Sequence, residues 1–406
     1  MKKTLNLSIA WKQKVTLRAL FNQYLQKLSK QPNNEQLKIQ IAQTAYYLGE
    51  FNETLNHLKE IKLNAKNKYI VPSLSAKAYL AINTNMSNLQ ALPLLHTAKE
   101  NAPDEVALSE TLTHLGIAHQ RISLAQKAIR FFSDALTAQP FNSTAFNTWA
   151  AIDFSVSNEA EVLERCDDYI TRGMITPTIL ANRYTALSLL GRTEEAEWLS
   201  GINAHTLSRQ LEGPIDGESS LDDFLSKLAL ELSKHPALRY GRHDSAIKLG
   251  WRIDELLTHK TPALSALFIE LTQMISKAID DLPNQPHPWL TNSPSNAKLT
   301  PWCLFTENDE EASWHVHPRG WMSGVFYILV PDVTKCSYDK KGCIEFGPPT
   351  LSHIQRKIPG EHKIVKPKPG QLLLFPSHLY HRTYATQNGH KRLVIPFDIQ
   401  PLNKTH

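Results

Sequence analysis

The N-terminal half of the chain has the apolar spacing of helices. From about residue 15 to residue 205, apolar positions recur every three or four residues, and strand-like alternation is rare. This pattern predicts a succession of helices. It is followed by EGPIDGESSLDDF, which is rich in Gly, Pro, Ser and acidic residues, as linkers are.

After Pro283 the pattern changes to short apolar runs separated by turn residues. The runs include SWHVH, SGVFYILV, GCIEFG, GQLLLF and RLVIPFDI, a spacing typical of an all-β sandwich or barrel. Two helices, roughly Leu221–Ser233 and Pro262–Ile279, are predicted ahead of these strands. The prediction is a multidomain α+β protein, with a helical domain at 1–205, a linker at 206–234 and a β domain at 235–406.

One segment of the helical half carries a repeat signature. Its large and small residues have the tetratricopeptide spacing, at Leu112, Leu115, Gly116, Ala128, Phe132, Ala135 and Pro140. Gly116 would let two antiparallel helices approach, Phe132 would fill the space between them, and Pro140 would end the second helix. Weaker copies break at Gly49 and Gly191. This half resembles a tetratricopeptide array, with an unspecialised helical bundle as the alternative, and such stacks usually bind a protein or peptide partner.

Composition mainly excludes classes of protein. The 406 residues include 44 Lys and Arg against 39 Asp and Glu, and the net charge of +5 does not indicate a nucleic-acid or membrane-surface partner. The first residues, MKKTLNLSIAWKQK, have an apolar stretch that is too short for a signal peptide, and no run approaches the ~20 apolar residues of a membrane span. Four cysteines without a CxxC pair favour a reducing compartment. We therefore expect a cytoplasmic protein.

Three histidines of the β half form a candidate metal centre. His315 and His317 are two residues apart on a predicted strand, so both side chains leave the same face. His381 begins a later strand, after a turn that contains proline. Imidazole is a favoured ligand of iron, zinc, nickel and copper, and three ligands on one face leave the opposite positions open. Arg392, at the start of another strand, is suited to hold a carboxylate through two parallel hydrogen bonds.

These residues lie in stretches that resemble a known family. HVHPRGWMSGVFYILVP, GQLLLFPSHLYHRTYA and NGHKRLVIPFDI are similar to the 2-oxoglutarate/Fe(II)-dependent oxygenases of the prolyl-hydroxylase-like superfamily. They are closest to a bacterial branch that often carries tetratricopeptide repeats ahead of the oxygenase domain. HPALRYGRHDSAIKLGWRIDELL also looks like the segment before that branch's barrel, so the resemblance covers roughly residues 235–402.

The resemblance implies a double-stranded β-helix, or jelly-roll, core. It implies Fe(II) ligands at His315 and His381, with His317 where the family usually has aspartate, and O2 and 2-oxoglutarate as co-substrates. Arg392 takes the place of the arginine that pairs with the far carboxylate of 2-oxoglutarate. Many relatives have Ser or Thr two residues later, where this chain has Val394, so the hydroxyl of Tyr327 is a candidate replacement.

Several assignments stay open from the sequence. His317 is either a direct ligand or a histidine beside the metal, in which case water or the carboxylate of Glu345 would take its place. His378 competes with His381, because on a strand the two face opposite sides. Arg319 and Trp321 either contact substrate or form a surface turn, and Cys303 is a weak zinc candidate.

The function predicted is a dioxygenase that hydroxylates a protein, a peptide or a small molecule, with the helical repeats recruiting a partner or the substrate. One alternative is a cupin-type metal protein, although Trp321 stands where cupins usually place a glutamate. The other is a binding or scaffold protein whose β domain is inactive.

Overall fold

The computed structural model describes residues 5–11, 15–213, 215–241, 250–306, 311–331, 340–352, 354, 356–386 and 391–402. The chain divides into two compact units. One is Val15–Ser157, and the other combines Met1–Lys14 with Asn158–His406. The predicted fold class is confirmed, since helical repeats are followed by a β-sandwich domain. No helix within the described residues is long and apolar enough to cross a membrane.

The first unit is entirely helical. Its helices are α1 (Leu17–Lys30), α2 (Glu35–Leu48), α3 (Phe51–Leu58), α4 (Ile70–Ile82), α5 (Asn85–Glu100), α6 (Glu105–Arg121), α7 (Ala125–Ala138) and α8 (Ser143–Ser155). Five of these helices, α1, α2, α5, α6 and α8, start at short polar side chains. Thr16, Asn34, Thr84, Asp104 and Asn142 each accept a hydrogen bond from a backbone N–H in the first turn.

The predicted repeat is the pair α6 and α7. A Cβ atom on Gly116 would lie 2.4 Å from Cε1 of Phe132, so only glycine allows this approach of the two helices. The Phe132 and Ala128 side chains are fully buried. Pro140 follows Gln139, the C-cap residue of α7. The structure therefore confirms the packing expected from the tetratricopeptide spacing.

The second unit also begins with helices. They are α9 (Glu159–Thr171), α10 (Pro177–Leu189), α11 (Thr193–Ser200), α12 (Ile202–His205), α13 (Leu221–Ser233), α14 (Pro262–Asp280) and α15 (Pro288–Thr291), with a 3-10 turn at Leu256–Thr258. Gly191 has a φ of 74° between α10 and α11, which is the break expected there. The two helices predicted ahead of the strands correspond to α13 and α14.

Two sheets form the sandwich of this unit. The strands are β1 (Asn6–Ser8), β2 (Leu207–Gln210), β3 (Arg239–Tyr240), β4 (Trp251–Ile253), β5 (Asn296–Pro301), β6 (Cys303–Thr306), β7 (Ala312–His315), β8 (Met322–Leu329), β9 (Ile344–Phe346), β10 (Lys363–Val365), β11 (Gln371–Pro376), β12 (His381–Thr383) and β13 (Arg392–Pro401). The large sheet has the order β2-β11-β8-β13-β6-β4-β3, with β5 also paired to β13 and β1 parallel to β5. The small sheet has the order β10-β9-β12-β7.

Apolar side chains from both sheets form a shared core. It includes Val325 and Phe375 of the large sheet and Ile344 and Phe346 of the small one. Because side chains alternate between the faces of a strand, the residues two positions away also point inward. This arrangement places the polar residues of the candidate site between the two sheets.

The division into units differs from the predicted boundary at residue 205. The carbonyl of Leu199, at the end of α11, accepts hydrogen bonds from the imidazoles of His287 and His378. Strand β2 extends the large sheet by pairing with β11. Helices α9–α12 thus belong to the β unit, and the stretch 206–234, predicted as a linker, holds a strand and a helix that pack on the sandwich.

Candidate functional site

His315, His317 and His381 lie together at one end of the small sheet. His315 ends β7, His381 begins β12, and the two residues are direct neighbours in the register of these strands. The ring of His315 is 4.2 Å from that of His381 and 5.3 Å from that of His317, measured between centroids. One nitrogen of each ring lies within 4.8 Å of those of the other two, close enough to hold a metal ion. Within the described chain, this is the only group of its kind.

The Nδ1 atoms of the three imidazole rings all form hydrogen bonds. Nδ1 of His315 is 2.7 Å from the carbonyl of Ser313, and Nδ1 of His381 is 3.0 Å from the carbonyl of Leu379. Since a carbonyl can only accept, each Nδ1 carries the proton and donates it. The unprotonated atom of each neutral ring is then Nε2, which is the atom a metal would need.

His317 is held by a carboxylate instead of a carbonyl. Its Nδ1 donates to Oδ1 of Asp398 over 2.6 Å, and the hydroxyl of Ser323 donates to the same oxygen over 2.8 Å. The Ser323 hydroxyl also contacts that of Ser377, and the backbone N–H of His317 donates to the Ser377 carbonyl. The indole of Trp302 stacks on the imidazole at 5.7 Å. The orientation of this ring is therefore fixed from several sides.

Burial keeps two of these imidazoles neutral. The loss of solvation, together with the neighbouring His317, lowers the pKa of His315 to about 4. Burial, and then His315 and His317, hold the pKa of His381 well below its usual value. At neutral pH both rings offer a lone pair without first losing a proton.

The histidines open on a cavity of about 660 Å³ between the sheets. Arg392 of β13 and Tyr327 of β8 line it from the large sheet and are almost fully buried. The guanidinium of Arg392 donates to the hydroxyls of Thr306, over 3.2 Å, and Thr383, over 3.4 Å. Burial raises the pKa of Tyr327, so its hydroxyl stays protonated and can donate a hydrogen bond. The structure thus places both predicted co-substrate residues at the cavity that holds the histidines.

Two other candidate ligands point elsewhere. Glu345 is next to Phe346, whose ring faces His381, and alternation along β9 turns the carboxylate to the opposite face. There it accepts hydrogen bonds of 2.6 Å from Arg382 and from the hydroxyl of Tyr384. His378 is buried in a separate cluster against the carbonyl of Leu199.

Of the remaining residues that the sequence suggested, one lines the cavity and the others lie away from it or have a packing role. Arg319 lines the cavity. Trp321 is buried and stacked on Trp289 at 5.0 Å, which is a packing role. Cys303 is a buried free thiol on the strand face opposite the cavity-lining Leu304. Cys336 lies outside the described residues.

The sequence interpretation missed the residues at the outer part of the cavity. Arg252 of β4 and Asp254, which follows that strand, line the cavity, and the Arg252 guanidinium is bonded to the Asp254 carboxylate at 2.6 Å. Arg239 binds the other oxygen of that carboxylate, also at 2.6 Å. Both arginines lie in the stretch that resembled the segment before the oxygenase barrel, of which residues 242–249 are outside the described residues. The sequence offered one indication of their position. Side chains alternate along a strand, so Arg252 and its neighbour Trp251 must lie on opposite faces of β4.

Comparison with known families agrees with the motifs. Residues 300–398 match a family model described as "Putative 2OG-Fe(II) oxygenase". The match spans less than half of the chain but includes the three histidines, Arg392 and Asp398. The C-terminal part of the chain therefore carries an oxygenase-type domain. No curated protein matches the sequence.

Several solved structures are similar in fold. One is a prolyl-4-hydroxylase from Pseudomonas putida, with 15% identity, a TM-score of 0.32, and 51% of this chain and 98% of that one covered. Another is a tetratricopeptide repeat protein from Parabacteroides merdae ATCC 43184, with 14% identity, a TM-score of 0.37 and coverage of 54% and 80%. A thermophilic TPR protein of Thermus thermophilus has 19% identity, a TM-score of 0.33 and coverage of 43% and 90%. With scores this low, these likenesses carry no argument about function.

Proposed function

We propose that the protein is a non-haem Fe(II)- and 2-oxoglutarate-dependent dioxygenase that hydroxylates a protein, a peptide or a small molecule. The observation that carries the proposal is the convergence of His315, His317 and His381 at a cavity that Arg392 lines from the opposite sheet. The match of residues 300–398 to the oxygenase family model supports it.

The residues present fit an Fe(II) ion. Three imidazoles whose Nδ1 atoms are all engaged leave three Nε2 atoms for one metal, and nitrogen ligands suit iron. The family's usual carboxylate ligand would bring one more negative charge. Here Asp398, which is hydrogen-bonded to His317, supplies a negative charge next to the metal centre instead of on a ligand. We therefore assign His315, His317 and His381 as the ligands, with His317 binding directly.

The co-substrate would be held by the large sheet. Arg392 is suited to bind the far carboxylate of 2-oxoglutarate through parallel hydrogen bonds, and its neighbours Thr306 and Thr383 fix the guanidinium. Tyr327 lies opposite Val394 in the strand register, so its hydroxyl can serve where relatives use Ser or Thr. When bound, Fe(II), O2 and 2-oxoglutarate would together supply oxidative decarboxylation to succinate and hydroxylation of a C–H bond.

An anaerobic titration tests this assignment. Fe(II) and 2-oxoglutarate added to the purified protein are expected to give the visible metal-to-ligand charge-transfer band of such complexes. Admission of oxygen with a substrate should then release succinate. Tight zinc binding without succinate formation would instead indicate a cupin-type metal protein. Absence of both metal binding and turnover would indicate an inactive binding protein.

We further propose that the helical repeats recruit a protein or peptide, either as substrate or as partner. The close α6–α7 packing at Gly116 and Phe132 supports this assignment, since stacked helix pairs of this kind form extended binding surfaces. Succinate release by the full chain can be compared with the protein fraction and the small-molecule fraction of a lysate. Stimulation by the protein fraction is expected where the recruited protein is the substrate. A recruited partner should instead be retained from that fraction by the immobilised full chain, and absence of both results would contradict this assignment.

A further inference from the structure

We propose that Ser377 is a positioning residue of the metal centre. Its hydroxyl acts through Ser323 and Asp398 on the ring of His317, and the turn that contains Ser377 also orients the ring of His381. This inference rests on the metal centre of the proposed function and extends it to two serines that do not line the cavity. A continuous, buried chain of hydrogen bonds carries it.

The hydrogen bonds from Ser377 to the metal centre run in one direction. As a carboxylate, Asp398 can only accept, so the hydroxyl of Ser323 donates to its Oδ1 over 2.8 Å. A hydroxyl has a single proton, and Ser323 has then used its own. The hydroxyl of Ser377, 2.8 Å away, must therefore donate to Ser323. Nδ1 of His317 donates to the same Oδ1 over 2.6 Å, so this one oxygen connects the serines to the imidazole.

The chain of hydrogen bonds is closed to solvent. Ser323 and Ser377 are both 0% exposed, and Asp398 is 8% exposed. Within the described residues, the carboxylate of Asp398 accepts hydrogen bonds only from Ser323 and His317. Because water does not reach the two hydroxyls, the loss of either would leave its neighbour without a replacement partner. The orientation of the carboxylate thus depends on the serines.

Gly320 makes room for this chain of hydrogen bonds. A Cβ atom on Gly320 would lie 2.5 Å from Oγ of Ser377 and 3.2 Å from Cβ of Asp398. A larger residue would therefore push both side chains away from their present positions. Gly320 ends the short segment HPRG that begins at His317, so the chain that leaves this ligand passes directly over the groups that hold its ring.

The turn that contains Ser377 contacts two of the three histidines. The backbone N–H of His317 donates to the carbonyl of Ser377 over 2.9 Å. Nδ1 of His381 donates to the carbonyl of Leu379 over 3.0 Å. The N–H of Leu379 donates to the carbonyl of Pro376 over 3.0 Å, which closes the turn. Ser377 therefore holds both the backbone and the ring of His317 from the same turn that orients His381.

The three rings differ in how their Nδ1 atoms are held. Those of His315 and His381 donate to backbone carbonyls, which cannot rotate independently of the chain. That of His317 donates to a carboxylate on a side chain, which can rotate. The two serines supply the restraint that the backbone supplies at the other rings. Since partners of this kind set the orientation and the affinity of metal-binding histidines, the serines should contribute to metal binding without touching the ion.

NMR of the metal-free full-length protein tests the chain of hydrogen bonds by itself. In protein with ¹⁵N-labelled histidine, the signals of His317 are those lost in His317→Gln. The Nδ1 proton of His317 should exchange slowly with water. Ser377→Ala and Ser323→Ala should each speed this exchange, so that the proton signal is weakened or lost. Ser200→Ala is the matched control, at a buried serine of α11 whose hydroxyl donates to the carbonyl of Glu197, and should change nothing. An unchanged signal in both variants would overturn the inference.

Chelator competition measures the effect on Fe(II) affinity. Ser323→Ala should weaken binding by roughly tenfold, the lower end of the cost of losing an outer partner of a ligand. Ser377→Ala should weaken it by about fivefold, the effect of one neutral hydrogen bond. Ser377→Cys keeps a weak donor of similar size and should recover part of the loss. It also replaces Ser377→Ala if that variant does not fold.

A double-variant cycle shows whether Ser377 acts through Asp398. In an Asp398→Ala background the connection to His317 is already lost, so adding Ser377→Ala should cause no further loss of Fe(II) affinity. A fivefold loss in both backgrounds would show that Ser377 affects the protein by another route and would overturn the inference. This readout distinguishes positioning from a general effect on stability, which would appear in either background.

The two measurements separate this inference from the proposed function. If the wild-type protein does not bind Fe(II), the proposed function fails, while the exchange of the His317 proton still decides whether Ser377 positions the ring. If Fe(II) binds tightly and with equal affinity to the wild-type protein and both serine variants, only the role of Ser377 is overturned.

Discussion

Nδ1 of His317 donates to Oδ1 of Asp398 over 2.6 Å, inside the sandwich. In the oxygenases that this segment resembles, the position of His317 is usually an aspartate. Here the carboxylate lies behind an imidazole. A carboxylate bonded to Nδ1 fixes the tautomer that exposes Nε2 and makes that atom a stronger donor to a metal.

Asp398→Asn should weaken Fe(II) binding by roughly 10–100-fold, the usual cost of losing a carboxylate partner of a metal-binding histidine. Asp398→Ala should weaken it further, because it removes the hydrogen bond as well as the charge. Competition with a chelator measures the affinity directly, without turnover. Asp281→Asn, at an exposed carboxylate on the end of α14 next to Arg209, is the control. Unchanged affinity in both Asp398 variants would refute the role of this carboxylate.

His317→Asp should reduce metal affinity, although it restores the residue usual in the family. The new carboxylate would lie close to that of Asp398, and two like charges at one site oppose each other. The double variant His317→Asp/Asp398→Asn removes this repulsion and should recover affinity over the single variant. Chelator competition on both proteins makes the comparison. If the double variant binds no better than the single one, the site requires three imidazoles for another reason.

Arg392→Gln should retain the metal and weaken 2-oxoglutarate binding by roughly tenfold or more, since a buried charge-assisted pair is lost. The amplitude of the charge-transfer band at increasing 2-oxoglutarate gives the dissociation constant. Arg319→Gln, at the outer part of the same cavity, should leave this constant unchanged. An unaltered constant in Arg392→Gln would move the co-substrate carboxylate to a different residue.

Gly116→Ala should destabilise the helical unit. Alanine favours a helix over glycine by about 1 kcal/mol, but its methyl group would lie 2.4 Å from Cε1 of Phe132. Overpacking of this kind costs about 1–3 kcal/mol, so the clash should outweigh the gain. Urea denaturation followed by circular dichroism measures the change. Adding Phe132→Leu makes room for the methyl, so the two substitutions together should cost less than the sum of their separate effects.

The buried His205 should make stability depend on pH. Burial, with a smaller effect of His287, lowers the pKa of His205 to about 4, against roughly 6.5 for an unfolded chain. The fold therefore favours the neutral ring. Its contribution is fully present above about pH 6.5 and is lost as the pH falls towards about 4. The urea midpoint should fall between about pH 7.5 and about pH 5, and by less in His205→Phe; an equal fall in both proteins would contradict this origin.

Local sequence patterns were sufficient for the parts of the protein that depend on near neighbours along the chain. Helical spacing predicted a succession of helices from about residue 15 to 205, and the Gly116–Phe132 contact followed from a repeat in which the two helices are joined by a short turn. His315 and His317 could be paired because alternation along one strand is a local rule. His381 and Arg392 needed the family resemblance as well, since nothing in their spacing shows that β12 and β13 meet the first strand.

The tertiary structure alone decided what surrounds these residues. Asp398 and His317 are far apart in the chain, and a carboxylate near the end of a strand gave no sign of its partner until β13 was placed in the large sheet. Arg252 likewise lines the cavity only because β4 pairs with β6 in the large sheet. Strand β2 belongs to the same sheet although its stretch of sequence was predicted as a linker. The physical reason is that strand pairing joins segments over long distances in sequence. Short apolar runs separated by turn residues indicate that strands form. The order and register of those strands depend on packing across the whole unit.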